Sequence, residues 1–157
     1  MTGKLVAGGI VLTGLVAGIA MYWLQVYAFY APVSFTPGAE ITLVPLMADI
    51  PQAIAVENIE GIDAGSSPLR FRACFTTPLS QATLTETFRR YDRPTPLTAP
   101  GWFDCFDADA IGAALERGEA LAFLSQANVA GGVDRVVAVF PDGRAFAWHQ
   151  LNDTYKE

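Results

Sequence analysis

The sequence is short of the residues from which active sites are built. It holds one histidine, His149, and two cysteines, Cys74 and Cys105. With a single histidine, a nucleophilic dyad would need one of the cysteines, and nothing in their spacing supports that pairing. The Cys-x-x-Cys motif that depresses a thiol pKa beside its partner is missing, and so is the Cys-x-x-Cys-His motif that attaches haem. Charge is scarce at 17% and acidic in balance, with 10 basic and 16 acidic residues. That balance is a poor fit to nucleic acid and tolerates a basic partner. A hydrophobic content of 52% excludes a disordered chain. No internal repeat and no low-complexity tract is present.

What the sequence does have is a long apolar run. From Leu5 to Leu24 there is no charge and one polar residue, Thr13. A helix of that length is about 30 Å long, the hydrocarbon thickness of a bilayer. Tyr22, Trp23, Tyr27 and Tyr30 cluster at its end, where aromatic rings with a polar edge suit the headgroup level. Pro32 stops the helix. Lys4 precedes the run, and the next basic residue is Arg70. Positive charge is retained in the cytoplasm, so the expected orientation is N-terminus inside and domain outside. Gly18-Ile19-Ala20 has the small residues of a signal-peptidase site. The apolar run continues past it into the aromatic cluster, as an anchor does. Gly9, Thr13, Gly14, Ala17 and Gly18 gather on adjoining strips of the helix, with Gly14 and Gly18 as a GxxxG pair. Small residues there let a second helix backbone come close. The expected partners are therefore the lipid bilayer and transmembrane helices of a larger complex, or a second copy. Small residues are also simply common in membrane helices.

The remainder reads as one α+β domain: residues 1–32 as anchor, 33–38 as linker and 39–157 as an antiparallel-sheet domain with one or two helices. Expected strands cover 40–46, 53–59, 69–75, 120–125, 133–140 and 144–151. In the third, Leu69, Phe71, Ala73 and Phe75 alternate with Arg70, Arg72 and Cys74. Pro78 to Leu84 reads as a short helix. Asp107 is a fitting N-cap for a helix over 108–117, with Gly118 as its stop. Pro141-Asp142-Gly143 reads as the turn of a hairpin.

Outside the cytoplasm an even cysteine count favours a Cys74–Cys105 disulfide. A copper or zinc site with His149, a redox pair and two free buried thiols are the alternatives. Arg70, Arg72, Arg89, Arg90 and Arg93 form a candidate docking patch, set against the reading that they are solvated or paired with acids. Asp104, Asp107 and Asp109 lack the glycine and terminal glutamate of a calcium loop. Trp102, with Phe103 and Phe106, reads as core around Cys105. No catalytic residue, metal or cofactor is expected.

The segments Arg72-Ala-Cys-Phe75, Ala99-Pro-Gly-Trp-Phe-Asp-Cys-Phe106, Ile111-Gly-Ala-Ala-Leu-Glu116 and the stretch from Asp134 to Arg144 resemble an uncharacterised family of small single-span alphaproteobacterial proteins. Some of its members carry a histidine-kinase label, which one histidine and no glycine-rich nucleotide box do not support. The resemblance implies a Gram-negative inner membrane and a periplasmic domain, and no activity. The expected role is a non-catalytic accessory or assembly subunit of an inner-membrane complex, with respiratory oxidase or bc1–oxidase assemblies first in line. A periplasmic ligand-binding or sensing module and a thiol- or metal-dependent factor are the alternatives.

Overall fold

The computed structural model describes residues 2–156. Helix α1, Thr2–Trp23, runs into a π-helical turn, Leu24–Ala28. Every large apolar side chain along α1 is exposed, from Leu5 at 75% to Trp23 at 58%. The stretch Gly3–Ala28 is long and apolar enough to cross a membrane. The Thr13 hydroxyl donates to the Gly9 carbonyl at 2.8 Å, satisfying the one polar group in the run.

The domain is α+β. Its main sheet has the order β1 (Ala31–Pro32), β4 (Glu57–Asp63), β5 (Arg72–Thr76), β8 (Arg144–Leu151), β7 (Val133–Val139), β6 (Leu121–Ala130), all antiparallel. A second, two-stranded sheet pairs β2 (Thr42–Leu43) with β3 (Gln52–Ala53). Helices α2 (Gln81–Thr87) and α3 (Ala108–Glu116) complete it.

Both faces of the main sheet are covered, which makes three layers. The alternation read over 69–75 sorts the two cores. Phe71, Ala73 and Phe75 join Phe123, Val137, Val139, Ala145 and Ala147 under β2, β3 and α2. Cys74 joins Ala122, Val136, Ala138, Phe146 and Trp148 under α3 and its approach loop. Trp148, Phe71 and Phe123 are among the largest fully buried side chains, each contributing about 1.5–3 kcal/mol of apolar burial.

The strand expected over 40–46 shrinks to Thr42–Leu43. Pro45 has no N–H to continue a ladder. Val44 instead donates to Leu124 O and Leu46 to Thr87 O, so this segment ties β6 to the residues that end α2. The strand expected over 53–59 divides into β3 and β4, and β4 runs on to Asp63. Asn58 takes a positive φ of 52° and the register shifts between Glu57 and Glu60, a bulge that breaks the simple alternation. The short helix begins later than expected, because Ser80 rather than the proline region caps it and accepts from Thr83 N. Asp107 caps α3 by accepting from Ala110 N. Gly143, at φ +87°, closes the hairpin turn, with Thr77 O only 2.8 Å from where a Cβ would sit.

Residues 33–38 lie along the domain. Val33 N donates to Gly61 O at 2.9 Å, and Val33 and Phe35 pack on the first core. Gly61 makes room for this, since a Cβ there would stand 2.7 Å from Phe35 Cζ.

Candidate functional site: the joint between the apolar helix and the domain

A helix leaves its last carbonyls without partners. Here the domain supplies them. The Arg70 guanidinium donates to Gln25 O at 3.0 Å and to Gln25 Oε1 at 2.8 Å. The Trp102 indole N–H donates to Val26 O at 2.7 Å. A cation at a helix C-terminus also meets the favourable end of the macrodipole. Aromatic rings close the gap between the bonds. Tyr27 stacks on Trp23 at 5.0 Å and on Trp102 at 6.3 Å. Tyr30 stands edge-on to Trp102 at 5.9 Å, and Arg70 lies over the Tyr30 ring at 5.3 Å. Two of the aromatics expected at a membrane interface, Tyr27 and Tyr30, thus touch the domain directly, while Trp23 and Tyr22 pack against Tyr27.

The domain invests much of its polar chemistry in holding Trp102 in place. Trp102 sits in a turn closed by Phe103 N donating to Pro100 O. Upstream, Arg72 donates to Leu97 O at 2.7 Å and to Thr98 O at 3.2 Å, and its remaining bonds go to Leu69 O and Phe71 O. Downstream, Cys105 is joined to Cys74 of β5. The loop 97–106 is therefore clamped at both ends to one strand, with Phe103 and Phe106 buried between. Burial lowers the Arg72 pKa to about 10, which leaves it cationic at neutral pH.

Two expectations are corrected by this arrangement. Arg72 is not a docking residue: it is 3% exposed and saturated by carbonyls. Trp102 is not core: it is 38% exposed and belongs to the joint. The sequence signal for Trp102 was the adjacent Pro100-Gly101, which marks a projecting turn. The other arginines divide. Arg70 stands apart at the joint, while Arg89, Arg90 and Arg93 share the lining of one groove, Arg89 paired with Asp49, Arg93 with Asp153, and Arg90 lying over the Phe123 ring.

The residues offered for chemistry are engaged structurally. His149 Nδ1 lies 2.6 Å from Pro68 O and so carries the proton, while Nε2 accepts from Arg135 Nε at 3.0 Å. Its ring stacks on Phe71 at 4.7 Å. Burial lowers its pKa to about 4, the Pro68 bond opposing the shift and Arg135 adding to it. Glu60, Cys74 and Cys105 place ligand atoms within 4.8 Å of one another, yet disulfide sulfurs are not the thiolates that bind metal. Apart from neighbouring backbone of the helix itself, no atom of the described residues lies within 4 Å of the Cβ positions of Gly9, Gly14 or Gly18. Thr13 and Ala17 are exposed beside them.

A groove of about 740 Å³ lies beside the end of β8, lined by Arg89, Arg90, Tyr91, Arg93, Asp134 and Leu151 among others. Asp134 is buried and accepts from Tyr91 Oη, Asn128 N and Asn152 Nδ2. Burial and Asp134 together push the Tyr91 phenol up to about 12.

These features define a class: an apolar helix hydrogen-bonded at its C-terminal end to a disulfide-stapled, three-layer α+β domain. The chain belongs to DUF6446, a family of unknown function, which matches residues 41–157. That match covers the domain from the start of β2 and leaves out the helix. No curated protein and no solved structure matches the chain.

Proposed function

We propose that this chain is a non-catalytic, single-span accessory or assembly subunit of a bacterial inner-membrane complex, with its N-terminus cytoplasmic and its domain periplasmic. The carrying observation is the joint. An enzyme or a carrier that only needs to be near a membrane works on a loose tether. A domain whose orientation is fixed to its helix by Arg70–Gln25 and Trp102–Val26 bonds suits a subunit whose helix and domain engage one neighbour together. The helix offers the open strip Gly9, Thr13, Gly14, Ala17 and Gly18 for that contact. The bridged cysteines and the doubly engaged His149 agree with a role without chemistry.

The test is purification of the tagged full chain in mild detergent, with reciprocal purification of what it brings down. A stoichiometric membrane complex is expected, respiratory oxidase and bc1 assemblies being the first candidates. Recovery should fall when Arg70 and Trp102 are replaced together. A chain that elutes alone from every gentle extraction sinks the proposal. A second reading, a periplasmic ligand-binding module, is favoured by the groove that Arg89, Arg90, Arg93 and Tyr91 line. Mass spectrometry of small molecules released on denaturation separates it from the first.

A further inference from the structure

We propose that the domain is itself seated in the lipid headgroup layer, with Trp102 at the tip of the 97–106 loop as the contact. The inference rests on the reading that α1 crosses the bilayer, and it adds a second lipid contact made by the domain. The argument is one of levels. The charge-free run Leu5 to Leu24 accounts for about 30 Å of hydrocarbon at 1.5 Å per residue. Leu24 therefore marks the edge of the apolar layer. The headgroup zone beyond it is about 5–7 Å deep on each side. Val26 is two residues further, about 3 Å at helical rise. The Trp102 indole is bonded to Val26 O at 2.7 Å, and the Arg70 guanidinium to Gln25 O at 3.0 Å. Those bonds hold both side chains inside the headgroup zone.

The chemistry fits the level. Indole is an apolar body with one polar edge, the type enriched at membrane interfaces, and Trp102 keeps 38% of its surface open. It continues the line of rings Trp23, Tyr27 and Tyr30 from the helix onto the domain. The neighbouring Asp104 and Asp109 are exposed. The Arg70 cation and these carboxylates offset one another, so the level carries no net preference for anionic headgroups, and zwitterionic phosphatidylcholine is the matching surface.

The experiment uses the full chain reconstituted in phosphatidylcholine vesicles, with lipids brominated either near the headgroup or near the chain end as tryptophan quenchers. The chain has three tryptophans. Trp148 is fully buried and sets the unquenched baseline in a Trp23→Phe, Trp102→Phe double variant. Trp23→Phe then reports Trp102, and Trp102→Phe reports Trp23. Expected is strong quenching of Trp102 by the shallow bromines, little by the deep ones, and no gain when phosphatidylglycerol is added. Quenched Trp23 with unquenched Trp102 overturns the seat and leaves the spanning helix standing. Unquenched Trp23 overturns the spanning helix, and the seat with it.

Discussion

The helix α1 and the strand β8 are both strongly apolar segments, and they end in opposite environments. Along β8 the residues from Ala145 to Gln150 are all buried, sandwiched between two cores. Along α1 the large side chains stay open on every side. A strand puts alternate residues on two faces, and a three-layer domain can cover both. A helix that is apolar all round needs a continuous surrounding, which a domain of this size lacks and a bilayer or a helical partner supplies. Hydrophobicity alone does not separate the two segments; length and period do.

The largest expected effect strikes the strand side of this comparison. Trp148→Ala should cost about 3–5 kcal/mol, read as a lower midpoint in urea unfolding, with no change in membrane association of the chain. A change in the helix such as Val11→Asn should do the reverse, leaving the urea midpoint of the domain in place.

Next is the staple. The Cys74–Cys105 bridge spans a sequence separation of 31, for which the chain-entropy relation gives about 3–4 kcal/mol. Cys74→Ala with Cys105→Ala should lose that much stability and should also expose the 97–106 loop to protease. If the loop stays protected, the bridge is not what positions Trp102.

Arg72→Met removes a cation that satisfies four carbonyls, and should cost about 1–3 kcal/mol. Were Arg72 a docking residue, the same change would leave the denaturation midpoint untouched, so calorimetry decides.

The His149 effect is smaller and has a sign. Its folded pKa is lowered to about 4, against about 6.5 unfolded. Between those values the unfolded state binds more protons, so stability rises with pH. The neutral imidazole's contribution is complete above pH ~6.5 and fades as pH falls toward ~4. A loss on the order of 1–2 kcal/mol at pH ~5 is expected, discounted for partial solvent access. A His149→Gln variant should flatten that part of the profile.

Smallest in stability is the joint. Arg70→Gln with Trp102→Phe should change the domain's midpoint by less than about 1 kcal/mol. Spin labels on α1 and α3 should nevertheless show a broader distance distribution. An unchanged distribution would mean that the ring stack alone fixes the angle.

Much of this architecture was legible in the sequence, because the signals were local. The length of the apolar run, the alternation over 69–75, the cap at Asp107 and the Pro141-Asp142-Gly143 turn each depend on residues within one element. What escaped depends on contacts between distant segments. Arg72 reads as a surface charge until the loop that brings Leu97 and Thr98 carbonyls to it is known. Trp102 reads as core because aromatic neighbours usually mean core, and only the position of Val26 places it elsewhere. The arginines between 70 and 93 look like one group along the chain, but a strand, a loop and a helix separate Arg70 from Arg89. The 33–38 segment ends in Pro37-Gly38, the breakers of a linker, and the space above Gly61 draws Phe35 down.

The place of β8 in the sheet has a consequence for how the chain is made. It lies between β5 and β7, yet follows both in chain order. Until it arrives, β1, β4 and β5 form one half-sheet and β7 and β6 another, joined by no strand. Neither core can close, since Ala145 and Ala147 belong to one and Phe146 and Trp148 to the other. The domain must therefore wait, unfinished, until residue 151 is through the ribosome, and if it is exported, through the translocon as well. A chaperone holding the unpaired edges of β5 and β7 during that interval would act on a stage at which this fold is open to aggregation.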